Sequence, residues 1–118
     1  GIVAGRGPAL VADLEGLAPY VRDEDVVVFG PRDAEELAAA GVRDIADTRM
    51  RFFPLDRVRA LGATTAAAMA LQPGLGLRRQ GPLADGVEGF WIHLDADVLD
   101  DAVMPAVDYR QPGGLSVA

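Results

Sequence analysis

The chain has 118 residues, half of them hydrophobic, and a net charge of −7 from 18 acidic and 11 basic residues. This length fits at most one domain with a hydrophobic core, and the acidic balance argues against nucleic acid or an anionic membrane as the main partner. The chain has neither cysteine nor lysine, which excludes disulfides, thiolate metal sites and a catalytic lysine.

The two ends of the sequence suggest a piece of a longer protein. There is no initiator Met, and residues 113–118 read as loop. We therefore expect residues 1–118 to form a single partial domain. No apolar run reaches the roughly 20 residues that cross a bilayer, and the start has no secretory signal, so we expect a cytoplasmic protein.

The first predicted elements are a helix over 8–17 and a strand over 26–29. Pro8 suits a first helical position, and an apolar stripe follows it. The stripe consists of Leu10, Val11, Leu14 and Leu17. The run Val26-Val27-Val28-Phe29 is β-branched and aromatic throughout, which is typical of a parallel strand covered on both faces.

A second helix is predicted from Asp33 to Ala40. Asp33 is the predicted N-cap, and Glu36 three residues later completes a capping-box pattern. Gly41 is expected to end this helix in the left-handed conformation that glycine tolerates. The short run 42–45 is a second, weaker strand candidate.

The second half is predicted to contain one helix, a loop and a third strand. The helix spans 55–70, with Gly62 as a weak point. Residues 72–89 are rich in glycine and proline and indicate a loop. The run Phe90-Trp91-Ile92-His93-Leu94 has the composition of a buried strand, and a loop follows from Asp100.

The alternation of helices and strands predicts an α/β fold with a mainly parallel sheet. Such sheets place ligands beyond the carboxyl ends of their strands. Two polar motifs lie at such ends, Gly30-Pro31-Arg32-Asp33 after the first strand and Asp95-Ala96-Asp97 after the third. We therefore expect the functional site where these motifs meet.

Asp95 and Asp97 are candidate ligands of a divalent metal. Residues i and i+2 of a strand point to the same side, so the two carboxylates would project together and repel each other. A divalent cation compensates both charges, and oxygen ligands suit magnesium or manganese. The alternative is a pair of solvated turn aspartates, because a bare Asp-x-Asp is a weak signal.

A longer pattern resembles the arginase/agmatinase (ureohydrolase) family. It comprises residues 93–100 (His-Leu-Asp-Ala-Asp-Val-Leu-Asp), Pro105, and Gly113-Gly114-Leu115-Ser116. In that family a strand ends in Asp-x-Asp-x-x-Asp and leads into a loop ending in Gly-Gly-Leu-Ser/Thr. Upstream, residues 29–35 resemble the family's strand and Gly-x-Arg-Asp turn, and residues 41–45 its next strand entry.

The resemblance implies a three-layer α/β/α fold with a mainly parallel sheet and a two-manganese centre, present here as a central to C-terminal part. In the family, metal-bound hydroxide hydrolyses a linear C–N bond of a guanidino or amidino compound such as arginine or agmatine. Asp95 matches the bridging ligand and Asp97 the ligand of one metal. Homo-oligomers, trimers or hexamers, are also implied.

The same resemblance also suggests roles for several other residues. Asp33 and Glu35 match carboxylates that hold the substrate's amino group, although the favoured alternative for Asp33 is that it only caps its helix. Asp100 matches a loop-fixing residue. His93 has a possible role behind the ligands, but a buried, hydrogen-bonded structural histidine is the favoured interpretation. The role of Arg32 is left open.

Departures from the family pattern limit what this chain does alone. The family centre also needs a histidine and an Asp-x-His-x-Asp segment, and this chain has one histidine in total. Asp101 stands where proline is common, and Ala106 where glycine is common. The 118-residue chain is therefore expected to be inactive by itself, and its exact substrate stays open.

Three other classes of protein are alternatives to a ureohydrolase. A manganese-dependent nucleotide-sugar transferase would explain the Asp-x-Asp motif but not the Gly-Gly-Leu-Ser loop. A haloacid-dehalogenase-like phosphatase normally needs a lysine and an Asp-x-Asp near its start. A non-catalytic arginase-fold fragment kept for assembly would bind no metal.

Overall fold

The computed structural model describes residues 1–72 and 90–116. Its helices and strands, in chain order, are α1 Ala9–Ala12, β1 Val27–Phe29, α2 Ala34–Ala39, β2 Arg51–Phe53, α3 Leu55–Leu61 and α4 Ala63–Leu71. Short 3-10 turns lie at Ile2–Ala4, Leu14–Gly16, Asp23–Asp25, Ile45–Asp47 and Ala96–Val98. No helix in this part of the chain is long and apolar enough to cross a membrane.

The predicted strand after Val26 is confirmed, and it pairs in parallel. Val27 lies opposite Arg51, and Phe29 opposite Phe53, so both strands end at the same edge. The rings of Phe29 and Phe53 pack at a centroid distance of 5.9 Å. The predicted fold class is confirmed as a partial α/β domain with helices around a small parallel sheet.

The hydrophobic core lies between this sheet and the two helices that follow it. Its buried members come from β2, α3 and α4, and they are Phe53, Val58, Ala66 and Ala70. Val58 is fully buried. Half-buried side chains from β1 and from Leu115 in the distant Gly-Gly-Leu-Ser segment pack against this cluster. The core therefore holds the end of β1 and the last loop together.

The helix predicted from Asp33 is α2, but its predicted capping box is wrong. Asp33 occupies the N-cap position without a side-chain cap bond, because its φ of −98° and ψ of 17° are far from the extended backbone of a capping residue. The predicted end is confirmed. Gly41 has a φ of 70°, and its N–H and that of Val42 bond back to the carbonyls of Ala38 and Leu37.

The helix predicted over 8–17 is wrong in length. Only α1 forms, and the chain leaves the helix at Asp13, whose carboxylate accepts a hydrogen bond from the Ala18 N–H at 2.9 Å. Glu15 then adopts a φ of 68°. An aspartate that bonds to nearby backbone competes with a helix in this way. The predicted apolar stripe is left exposed, including Leu10 at 86%.

The strand predicted over 42–45 is also wrong. The Asp44 carboxylate accepts a hydrogen bond from the Ala46 N–H at 2.8 Å and begins a 3-10 turn. The second strand is instead β2, which the sequence did not single out. Its partner is β1, and Arg51 Nη1 also bonds the Gln72 carbonyl at 3.0 Å. The hydrogen bond of the Asp44 carboxylate therefore stabilises a turn where a strand was predicted. Pairing with β1 stabilises a strand at Arg51–Phe53 instead.

The long helix predicted over 55–70 is two helices. Gly62, with a φ of 79° and a ψ of 140°, ends α3 and starts α4, so the chain turns where one continuous helix was expected. Glycine adopts this conformation without steric cost. The loop predicted over 72–89 lies, from residue 73 on, outside the described residues.

The third predicted strand, Phe90–Leu94, is not formed. Its residues have no regular structure and are exposed, with Trp91 at 85% and Leu94 at 74%. A strand requires a neighbour that satisfies its backbone N–H and C=O groups. Among the described residues no strand pairs with this segment. The prediction of a buried strand is therefore wrong for this chain.

Candidate active-site cleft

The Gly-Pro-Arg-Asp turn after β1 comes into contact with the acidic motif near residue 95. Gly30 has a φ of 80°, and its N–H donates to the Phe53 carbonyl at 2.7 Å, which keeps the turn on the sheet. A Cβ at Gly30 would lie 2.7 Å from Val98 Cγ2. Glycine is therefore needed for two reasons, its left-handed backbone and the closeness of Val98.

The two candidate ligands lie on a turn and not on a strand. Asp95 precedes the 3-10 turn Ala96–Val98, and its Oδ1 accepts a hydrogen bond from the Asp97 N–H at 3.4 Å. The expectation that strand alternation aligns the two carboxylates is therefore wrong. The turn still presents both aspartates to the end of β1, because Val98 packs against Gly30.

These two motifs form a cleft with a volume of 230 Å³. Its carboxylates are Asp33 from the β1 end, and Asp95 and Asp97 from the opposite wall. Glu35 is exposed and lines a neighbouring groove, which it shares with Asp33, so the structure separates it from Asp95 and Asp97 only. The cleft is lined by Phe29, Gly30, Pro31, Arg32, Asp33, Asp95, Asp97, Val98, Tyr109 and Gln111.

The donor chemistry of the cleft fits a hard divalent cation, because its acidic groups are all carboxylates. The number of donors is small. Within residues 1–72 and 90–116, no group of three or more histidine, aspartate or glutamate side chains is placed to hold a metal ion. Asp95 and Asp97 are thus suited to be part of a metal centre and do not form a whole one.

The segment after Asp97 is fixed to the Gly-Gly-Leu-Ser loop by a parallel bridge. The Asp100 N–H donates to the Leu115 carbonyl at 2.9 Å, and the Leu115 N–H donates to the Val98 carbonyl at 2.8 Å. The Asp100 carboxylate also accepts from the Ala102 N–H at 3.0 Å. A Cβ at Gly114 would lie 2.3 Å from Leu99 backbone atoms, so this approach requires glycine.

Two arginines hold the same loop through backbone carbonyls. Arg59 Nη2 donates to Gly113 at 2.5 Å and to Gly114 at 2.9 Å. Arg32 Nη2 donates to the Gln111 carbonyl at 2.7 Å. The Arg32 Nε is buried and has no partner among the described residues. Arg32, whose role the sequence left open, therefore joins the Gly-Pro-Arg-Asp turn to the opposite wall.

Sequence reasoning missed three polar residues around the cleft, Tyr109, Gln111 and Glu36. Tyr109 Oη donates to Glu36 Oε2 at 2.6 Å, and Gln111 Nε2 donates to the same oxygen at 3.2 Å. The hydrogen bond to Glu36 raises the pKa of the Tyr109 phenol. Tyr109 and Glu36 are 73 positions apart, so no local sequence pattern predicts the hydrogen bond between them.

His93 lies away from this arrangement. It is exposed, and its ring is 5.9 Å from the Trp91 ring. The expected burial of this histidine is therefore wrong, for the same reason that the strand around it does not form. His93 does not line the cleft that contains Asp95 and Asp97.

Comparison with known proteins gives one family. A model described as "Arginase family" matches residues 15–118. The chain is 30% identical over 114 residues to "Arginase, mitochondrial" from Medicago truncatula, covering 92% of this chain and 30% of that protein. It is 28% identical over 113 residues to "Arginase" from Bacillus subtilis (strain 168), covering 95% of this chain and 33% of that protein.

The chain thus spans about a third of the length of these curated relatives. No solved structure matches it significantly.

Proposed function

Because this chain belongs to the arginase family, we propose that it forms one side of the active site of a manganese-dependent ureohydrolase. The intact enzyme hydrolyses a linear C–N bond of a guanidino or amidino compound, such as arginine or agmatine. The observation that carries this proposal is the cleft that Asp33 lines together with Asp95 and Asp97. It joins the two sequence motifs that resemble the family's substrate-binding and metal-binding segments.

Each cleft carboxylate has a distinct role in this proposal. Asp95 and Asp97 would hold divalent metal, which would supply Lewis-acid activation of water at the substrate's guanidinium carbon. Asp33, across the cleft, accepts hydrogen bonds from the substrate's amino groups. Glu35 would contact only a substrate that extends out of the cleft toward α2, because it lines the neighbouring groove.

The activity is assigned to the intact enzyme and not to these 118 residues. Two aspartates are fewer ligands than a two-manganese centre needs, and the single histidine is exposed and outside the cleft. The remaining ligands would come from other parts of the enzyme. Assembly into a homo-oligomer and a cytoplasmic location are further parts of the proposal.

Substitution of the cleft aspartates in the intact enzyme tests the proposal. Asp95→Asn and Asp97→Asn should each lower kcat/KM for arginine or agmatine by about 100-fold or more, because each removes a charged metal ligand. Asp47→Asn is a matched control, since Asp47 is an exposed aspartate of another 3-10 turn. Manganese titration by calorimetry should show weaker binding in the first two variants only.

Two results would contradict the proposal. One is normal activity in Asp95→Asn or Asp97→Asn. The other is release of urea from arginine or agmatine by the 118-residue chain at the rate of an intact enzyme. Binding of a nucleotide diphosphate with manganese would favour the transferase alternative. Absence of manganese binding by the intact protein would favour a non-catalytic assembly role.

A further inference from the structure

The loop between Pro105 and Pro112 is joined to α2 by side chains. Tyr109 and Gln111 both donate to Glu36 Oε2, at 2.6 and 3.2 Å, and we call this pair of hydrogen bonds the Glu36 tether. Arg32 adds a bond to the Gln111 carbonyl at 2.7 Å. Because one carboxylate oxygen accepts both tether bonds, Glu36 positions two wall residues of the cleft at once.

Tyr109 is held at the cleft by this tether more than by packing. Tyr109 and Gln111 line the cleft, whereas Glu36 lies outside it and lines the neighbouring groove. Tyr109 is 53% exposed, so few neighbours restrict its rotamer. A hydrogen bond to a carboxylate is stronger than one between neutral groups. The same hydrogen bond raises the pKa of the Tyr109 phenol.

The position of Tyr109 among the lining residues makes its side chain important for the shape of the cleft. It lines the same cleft of 230 Å³ as Asp33, Asp95 and Asp97. At 53% exposure its side chain is partly in solvent and partly against the cleft. Movement of this ring would change the length of molecule that the cleft accepts.

On the basis of the ureohydrolase function proposed above, we propose that Tyr109, positioned by Glu36, is a specificity-determining residue of this cleft. Its phenol ring occupies part of the cleft wall and so limits the length of the guanidino compound that the cleft accepts. Glu36 is a positioning residue that acts through Tyr109. Removal of the ring admits longer compounds, and removal of the hydroxyl or of the Glu36 charge loosens the same restriction.

Kinetics of the intact enzyme with guanidino acids that differ only in their number of methylene groups tests the specificity role. Tyr109→Ala should raise the ratio of kcat/KM for a long to a short member by about tenfold. Tyr109→Phe and Glu36→Gln should raise it by about threefold, mainly through KM. Tyr20→Phe is the matched control, because Tyr20 Oη donates to the Leu14 carbonyl at 2.6 Å and does not line the cleft. An unchanged ratio in Tyr109→Ala overturns the proposal.

Limited trypsin digestion tests the tether without any need for activity. The digestion is carried out on the intact enzyme. Within these 118 residues trypsin can cleave only after arginine, because they include no lysine, and Arg110 lies between the two tether residues. Tyr109→Phe and Glu36→Gln should speed cleavage after Arg110 by about fivefold, because the loop opens more often. Cleavage after the exposed Arg43 serves as the internal control and should not change. No change after Arg110 overturns the positioning role of Glu36.

The two measurements separate failure of the specificity role from failure of the proposed function. If the enzyme is active but the ratio of kcat/KM for long and short guanidino acids does not change in the Tyr109 variants, the specificity role is wrong. The proposed ureohydrolase function is then unaffected. A wild-type enzyme that hydrolyses no guanidino compound overturns both, even where trypsin shows the tether to be intact.

Discussion

Two apolar segments of similar composition have opposite fates in this molecule. Val27–Phe29 forms a strand beside β2, while Phe90–Leu94 has no regular structure and is exposed. Each leads into a motif of the same cleft, the first into Gly30 and the second into Asp95. The difference is that, within residues 1–72 and 90–116, only the first segment pairs with another strand. Apolar composition makes burial favourable, but a strand forms only where a partner satisfies its backbone groups.

Two phenylalanines give the largest expected contrast between these regions. Phe53→Ala should lower the free energy of unfolding by about 4 kcal/mol, because Phe53 is a buried core residue. Phe90→Ala should change it by less than about 0.5 kcal/mol, since Phe90 is 50% exposed. Urea unfolding followed by far-ultraviolet circular dichroism measures both. Equal losses would mean that the 90–94 segment is packed as firmly as the sheet.

The next contrast concerns how the segment beyond Asp97 is joined to the core. Gly114→Ala should cost about 3 kcal/mol, because its Cβ would lie 2.3 Å from the Leu99 backbone and would break the bridge to Leu115. Gly41→Ala should cost about 1 kcal/mol, since Gly41 has a positive φ of 70° but open space around it, so that only backbone strain opposes the new Cβ. The same unfolding measurement compares them, and similar losses would argue against the close approach at Gly114.

A smaller effect is expected where the two regions meet. Gly30→Ala should cost about 2 kcal/mol, part from its positive φ and part from the contact with Val98 Cγ2. In a Val98→Ala background the same substitution should cost about 1 kcal/mol, because only the backbone strain remains. A double-mutant cycle measures this coupling. A coupling of zero would show that Val98 does not pack on the turn.

The smallest effect comes from the ion pair that precedes β1. Arg6 donates to Asp23, and this hydrogen bond lowers the pKa of the Asp23 carboxyl. A lowered folded-state pKa stabilises the protein above the unfolded value of about 3.9, and that contribution disappears as the pH falls through the folded value. Asp23→Asn should therefore cost about 0.5 to 1 kcal/mol at neutral pH and nothing in strong acid.

The Arg6→Met variant is the control for this pH dependence. It should lose similar stability at neutral pH and should show a smaller further loss on Asp23→Asn, because the two side chains interact while Asp23 also accepts a hydrogen bond from the Arg49 N–H at 3.4 Å. Urea unfolding from neutral to acidic pH measures each variant. A loss in Asp23→Asn that persists unchanged below the folded pKa would show that the effect is not electrostatic.

Several features follow from local sequence because their causes are local. The β-branched run before Gly30 forms a parallel strand, and Gly41 ends α2 in the left-handed conformation. The Asp-x-Asp motif at 95–97 stands out by its position after an apolar run, and the Gly113-Gly114-Leu115-Ser116 loop stands out through its resemblance to one family. Their resemblance to one family was sufficient to identify the family, which the comparisons confirm over residues 15–118.

Other features depend on partners far apart in the chain and were decided by the tertiary structure. The cleft exists because Val98 packs on Gly30, and the Glu36 tether joins residues 73 and 75 positions apart. The Asp44 carboxylate stabilises a turn where a strand was predicted, and Arg51–Phe53 forms the second strand because it pairs with β1. Phe90–Leu94 is exposed because none of the described strands pairs with it. The sequence by itself determined which segments favour burial and which carry charge. Tertiary contacts determined which of these segments pair or pack with one another. Such contacts join residues that are distant in the chain, so they leave no local pattern in the sequence.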